Sequence, residues 1–329
     1  MKLKVGIVGV GHLGKIHLRI LQQLSDLYTI VGFYDPDETT SEEVEHLFGV
    51  QSFSQIDELL GLIDVLDIVA PTPFHFHYAA KAAELGLSIF VEKPVVETLD
   101  EAEKLKSLVQ KNGVIVQVGH VERFNPAYLA ALPYFQEPMF IETHRLAMFN
   151  PRGTDVPVVM DLMIHDIDII LKVVNSKVKN VAASGVTVVS ETPDIANARL
   201  EFENGCVANL TSSRLSLKNM RKSRFFQQNA YVSVDFLNKE LEVVKLDKIE
   251  GEPDPFDLIL PLAEGKNPRK LTIDKPELVP NNAIEEELKS FYHAVVNKQE
   301  AIVTLNDGVE ALVVAQMIMD KIAEFRPIL

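Results

Sequence analysis

Residues 3–14, Leu3-Lys4-Val5-Gly6-Ile7-Val8-Gly9-Val10-Gly11-His12-Leu13-Gly14, join a short apolar run to a glycine triplet spaced Gly9-x-Gly11-x-x-Gly14. An apolar run that ends in such a triplet and enters an amphipathic stretch reads as strand, tight turn and helix. Gly9 suits the turn, Gly11 lets a pyrophosphate approach the backbone, and Gly14 lets the helix pack on the strand. His12 and Leu13 open that helix, whose unpaired N–H groups and dipole face an anion. Leu13, Ile16, Ile20 and Leu24 share one of its faces. A second run, residues 28–33, leads to Asp35, about 20 residues beyond Gly14, where a carboxylate can grip a ribose 2′-hydroxyl. Gly9, Gly11, His12, Leu13, Gly14 and Asp35 are thus expected to hold a dinucleotide. Six acidic residues and no Lys or Arg stand between Tyr34 and His46. A carboxylate at position 35 repels a 2′-phosphate, so NAD is expected in preference to NADP.

Working outward, further apolar runs at 65–70, 87–91 and 114–118 alternate with amphipathic stretches, one of them carrying Ala102, Leu105 and Val109 on one face. Strands alternating with helices predict βαβ units on a parallel sheet, and hence a Rossmann domain over residues 1–122. The remainder, 123–329, reads as an α+β domain with an open, mainly antiparallel sheet. Helices are expected at 125–135 and 160–174, and strands at 181–189, 196–202, 207–213, 225–236 and 241–246. Asn204-Gly205 predicts a type I′ hairpin between two of these. Residues 248–280 read as loops, and two helices, 284–296 and 308–325, close the chain. Asn306 or Asp307 would cap the last, which is expected to pack back on the first domain.

The 329 residues exceed what one core usually supports, so two domains are natural. With 32 basic and 47 acidic residues the net charge is −15, which excludes broad contact with nucleic acid or anionic lipid. Cys206 is the sole cysteine, so neither an intrachain disulfide nor a multi-cysteine metal site can form. No apolar run approaches the roughly 20 residues that span a bilayer, and the start has no signal-peptide pattern. A soluble, cytoplasmic protein is expected.

Three further segments bear on chemistry: Ala70-Pro71-Thr72-Pro73-Phe74-His75, Glu92-Lys93-Pro94 and Asp161-Leu162-Met163-Ile164-His165-Asp166. Lys93 lies just beyond a strand's C-terminal end, where ligands bind in open α/β sheets. Its ammonium can stabilise alkoxide character on a substrate hydroxyl as hydride leaves the same carbon; a solvated surface lysine is the plainer alternative. Asp161 and His165 are four apart, close enough on a helix for the carboxylate to orient the imidazole, which is suited to exchanging the hydroxyl proton. The same pair could be a solvated ion pair, or two ligands of a metal completed by Asp168, His144 or His120. No metal is expected, because Lys93 already supplies positive charge.

With the glycine loop, these segments resemble the glucose–fructose oxidoreductase, inositol dehydrogenase and MocA family over essentially the whole chain. The resemblance implies that Lys93 is the active-site lysine and His165 the acid/base histidine, with Asp161 beside it. It also implies that Pro71, Thr72, His75, Glu92 and Lys93 line the cofactor, and that the open sheet serves a homodimer or homotetramer. One departure stands out: Val158-Val159-Met160 and Met163 replace the small residues and glycine common around the family aspartate. Residues 118–126 and 150–156, read with Asp161-Leu162 and His165-Asp166-Ile167-Asp168, resemble instead the UDP-N-acetylglucosamine 3-dehydrogenase subgroup. That resemblance implies oxidation at C3 of a nucleotide sugar, with Asp161 and His165 at the sugar. Arg123, Arg145 and Arg152 are candidates for its diphosphate, since guanidinium binds such groups in bidentate fashion. A dehydrogenase of free sugars or inositol-type polyols, and a non-catalytic NAD-binding regulator, are the alternatives.

Overall fold

In the computed structural model, residues 1–150, 156–249, 254, 257–261 and 267–324 are described. The apolar runs become β1 (Leu3–Val8), β2 (Tyr28–Tyr34), β3 (Val65–Ile68), β4 (Ser88–Glu92) and β5 (Val116–Gly119). Between them lie α1 (His12–Gln23), α2 (Glu38–Phe48), α3 (Ile56–Leu60), α4 (His75–Glu84) and α5 (Leu99–Asn112). All five strands are parallel, in the order β2-β1-β3-β4-β5. Chain order reverses beside β1, which places a topological switch point at the carboxyl ends of β1 and β3. Strand β3 is buried throughout, as a strand covered on both faces requires. Local chemistry sets the helix ends. Thr98 and Glu101 form a capping box at the start of α5, and Gly113 ends it in the left-handed conformation.

Beyond β5 come α6 (Pro126–Ala131), β6 (Phe140–Leu146), α7 (Ile164–Val174), β7 (Val178–Val186), β8 (Ile195–Phe202) and β9 (Val207–Ser213). They are followed by β10 (Met220–Phe226), β11 (Ala230–Asp235), β12 (Glu240–Lys248), β13 (Leu258–Leu260) and β14 (Arg269–Asp274). These strands form one sheet, β13-β14-β12-β11-β10-β6-β9-β8-β7. Every pairing is antiparallel except β6 with β9, so the open sheet is mainly but not wholly antiparallel.

Several local expectations change. The helix expected over 125–135 ends at Ala131 and tightens into a 3-10 turn at Leu132–Tyr134, because Pro133 brings no N–H to an α-helix. The single run at 225–236 divides into β10 and β11, which pair as a hairpin. The span expected as loops, 248–280, contributes β14, paired along β12. Asn204-Gly205 does join β8 to β9, but not through a type I′ turn. Only Gly205 has positive φ (88°), and its N–H donates to Phe202 O (3.0 Å). A single left-handed residue after a helical-type turn makes the three-residue hairpin loop.

Helices α8 (Ala283–Asn297) and α9 (Leu305–Glu324) close the described chain. Thr304 and Asp307 bond reciprocally at the start of α9, earlier than the cap read from sequence. Contacts divide the chain into two units. Unit 1 is Met1–Phe124 with Asn281–Val313, and unit 2 is Asn125–Pro280 with the rest of α9. Unit 1 therefore includes a return segment that a single cut after residue 122 omits. In it, Leu288, Phe291 and Tyr292 of α8 pack among Leu18, Leu21, Tyr28 and Phe90. The Tyr28 hydroxyl donates to Leu288 O (2.7 Å), and Gln117 Nε2 donates to Glu287 O (2.6 Å). No helix among the described residues is long and apolar enough to cross a membrane.

Candidate functional site

In unit 1 the glycine loop runs from β1 into α1. Gly9 has φ 86°, and a Cβ there would lie 2.5 Å from the Ala70 backbone. At Gly14 a Cβ would stand 2.0 Å from Gly9 O, so this close crossing of helix over strand admits only glycine. Gly11 is the N-cap of α1; no side chain caps the helix there, and the space where its Cβ would lie is open. His12 is exposed and Leu13 half-buried at the helix start. The start of the helix thus carries no side-chain cap, which suits a pyrophosphate. Asp35 is held at the rim of this turn, its Oδ2 accepting from Val10 N (2.9 Å) and its Oδ1 from Asp37 N (3.0 Å). Each oxygen keeps accepting capacity for a ribose hydroxyl. The residues present fit a dinucleotide.

The loops after β3 and β4 are joined by His75, the first residue of α4. It is buried, with Nδ1 2.9 Å from Pro94 O and Nε2 2.7 Å from Ala70 O. Burial lowers its pKa, opposed by the same two carbonyls. Both ring nitrogens face backbone, so the histidine acts on this site through the loops it holds. Pro71 and Thr72 lie in the first of those loops, exposed and half-buried respectively. Glu92 ends β4 with its carboxylate turned inward: Oε2 accepts from Lys93 N (3.2 Å) and Oε1 lies 3.4 Å from His17 Nε2. Lys93 itself is half-buried and precedes Pro94 through a cis peptide.

Also in unit 1, Arg123 is buried in a 3-10 turn, with Nη2 3.5 Å from Asp307 Oδ1. That placement makes it an interior ion-pair partner.

In unit 2 the segment carrying Asp161 and His165 differs from the expected continuous helix. Val159–Met163 form a π-helical turn containing Asp161, and α7 follows with His165 as its second residue. A π turn changes the angular offset that four-residue spacing has in an α-helix, and such turns are frequent at functional sites. Asp161 and His165 are half-buried, while Asp166 and Asp168 are buried. Arg145 of β6 grips Asp166 in bidentate fashion, with Nη2 2.9 Å from Oδ1 and Nε 3.1 and 3.2 Å from the two oxygens. Both side chains are 3% exposed. This pair ties α7 to the sheet, so Arg145 faces a carboxylate in the interior. Arg145→Met, which removes the guanidinium that Asp166 faces, is expected to destabilise the protein by about 3–5 kcal/mol, read as a fall in the urea midpoint. Arg145→Met/Asp166→Leu should recover most of that loss. Arg152 lies outside the described residues.

His144, a possible third ligand in the metal reading, is on β6 with Nδ1 3.5 Å from Arg224 Nη1. Among the described residues the grouping close enough to share an ion is His17, Glu92 and Glu287, not one built on Asp161 and His165. Sequence reasoning passed over His17, Asp67 and Glu287, which are buried in unit 1. Asp67 did carry a signal: it is a charged residue inside the apolar run 65–70, where a buried partner is required.

Comparison with known proteins bears on the family and the fold. A family model described as an oxidoreductase family with an NAD-binding Rossmann fold (GFO_IDH_MocA) matches residues 3–120. The GFO/IDH/MocA C-terminal domain model matches residues 139–231. The chain is 37% identical over 243 residues to UDP-N-acetylglucosamine 3-dehydrogenase of Acidithiobacillus ferrooxidans, covering 73% of this chain and 76% of that protein. A solved structure of that enzyme superposes with TM-score 0.87 at 30% identity over 99% of each chain. The scyllo-inositol 2-dehydrogenase (NAD(+)) of Bacillus subtilis is 28% identical over 65% of this chain and 68% of its own length.

Proposed function

The chain belongs to the glucose–fructose oxidoreductase, inositol dehydrogenase and MocA family of NAD-binding oxidoreductases, and on that premise we propose that it oxidises the C3 hydroxyl of UDP-N-acetylglucosamine. The observation that carries the reading is likeness along the full chain to a dehydrogenase of that substrate. Bound NAD supplies the hydride acceptor. The Lys93 ammonium donates to the substrate oxygen and stabilises the negative charge that grows there as the C–H bond breaks. His165 takes the hydroxyl proton on a ring nitrogen, and Asp161 orients the ring. The substrate carbon loses a hydride and its oxygen a proton, leaving a ketone. The guanidinium assigned to the diphosphate is Arg152, since Arg123 and Arg145 face carboxylates. We place the protein in the cytoplasm as a homodimer or homotetramer, an oligomeric state that light scattering on the purified protein tests.

Steady-state kinetics with UDP-N-acetylglucosamine, N-acetylglucosamine and myo-inositol test the substrate, with mass spectrometry detecting the loss of two hydrogens. Turnover of the nucleotide sugar alone supports the reading, and turnover of myo-inositol alone replaces it with the polyol reading that the inositol dehydrogenase relatives favour. Asp35 carries the choice of NAD over NADP. Asp35→Ser removes the carboxylate that would meet a 2′-phosphate, and should lower the NAD/NADP ratio of kcat/KM by at least about tenfold, worth about 1.4 kcal/mol. An unchanged ratio would show that Asp35 does not set the preference.

A further inference from the structure

Four ionisable side chains meet in the interior of unit 1, on elements far apart in sequence. His17 of α1 is fully buried, with Nδ1 3.0 Å from Asp67 Oδ2 on β3 and Nε2 3.4 Å from Glu92 Oε1 at the end of β4. The ring lies edge-on to Phe90, centroids 5.7 Å apart. Glu287 of α8 is fully buried too, with carboxyl oxygens close to His17 and Glu92 but without a hydrogen-bond partner among the described residues. The Glu92 carboxylate lies where a Cβ on Gly119 would stand 2.7 Å from Oε1, so the glycine makes room for it.

A carboxylate stands beside each ring nitrogen: Nδ1 is hydrogen-bonded to Asp67, whereas Nε2 meets Glu92 at ion-pair distance without hydrogen-bond alignment. Burial opposes a charge on the ring, yet Asp67 and then Glu92 outweigh it and hold the His17 pKa well above its ordinary value. Burial, reinforced by the charge of Glu92, raises the Glu287 carboxyl well above the usual range.

We propose that His17, Asp67 and Glu92 form a positioning device for Lys93: Asp67 orients the His17 ring, the ring sets the Glu92 carboxylate at ion-pair distance, and that carboxylate accepts from the Lys93 N–H. The next link of the same segment is held from the other side, where His75 meets Pro94 O. The backbone that launches the Lys93 side chain is thereby fixed from two directions, and an amine that must meet one substrate oxygen depends on that direction. The inference rests on the role given to Lys93 under Proposed function.

Glu92→Gln keeps an oxygen for the Lys93 N–H but removes the charge that His17 faces, and His17→Gln removes the imidazolium. Each should lower kcat by about 10–100-fold while the NAD dissociation constant and the KM for the sugar change less than about twofold. A loss of only overall stability would lower the active fraction and leave the kcat of correctly folded, NAD-titrated sites untouched. Independently of any substrate, acetic anhydride labelling of Lys93, measured by mass spectrometry against exposed Lys111 in the same molecule, should change several-fold in both variants. If wild type turns over none of the sugars, the substrate reading fails while the labelling ratio still decides this one. Wild-type kcat or, for an inactive protein, a wild-type labelling ratio in either folded variant overturns the device. So does about one equivalent of tightly bound metal in the purified protein that is lost in His17→Gln, which would make the cluster a metal centre.

Discussion

Lys93→Met lowers kcat by about 10²–10³-fold, the range expected when one preorganised donor to a developing oxyanion is removed. Methionine keeps the length and the apolar stem but offers no N–H, so the alkoxide character that builds as hydride departs is left unstabilised. Binding of the dinucleotide should persist, because the glycine loop and Asp35 that are suited to hold it are formed by β1, α1 and the end of β2. NADH affinity can be read directly from its own fluorescence, since the chain contains no tryptophan. A variant with wild-type kcat would remove Lys93 from the chemistry. A variant that no longer binds NADH would make it a cofactor ligand first.

His165→Asn should cost about 10²–10⁴ in kcat, the usual worth of a positioned acid/base group. Asparagine retains a hydrogen-bonding side chain of similar reach but cannot take a proton. In the oxidative direction wild-type kcat/KM should rise with pH as the imidazole becomes available as a base, and the variant should lack that limb while keeping its KM. A pH profile of unchanged shape in His165→Asn would assign the proton to another group. Because a half-buried helix position tolerates asparagine, the variant is expected to fold, and its melting curve checks that.

How much of this was legible beforehand differs between backbone and side chains. The strand–turn–helix around Gly9 and Gly14 could be read directly, because a positive φ and a Cβ-free crossing are requirements met within a few residues. The capping box at Thr98 and Glu101 is equally local. The π turn at Asp161 was not legible: its residues suit an α-helix by composition, and only the surrounding packing selects the wider turn. Burial likewise gave Arg123 and Arg145 carboxylate partners that no motif announces.

By itself, then, the sequence determined the parallel α/β unit, the dinucleotide loop with Asp35, and the family segments around Lys93 and His165, all of which are patterns of neighbouring residues. Tertiary structure alone decided the insertion of β6 between β9 and β10, the return of α8 to the first unit, and the meeting of His17 with Asp67, 50 residues away, and with Glu92 and Glu287. Those outcomes depend on which distant surfaces are buried together. A charged side chain in an apolar stretch shows only that a partner must exist, and the fold chooses which one it is.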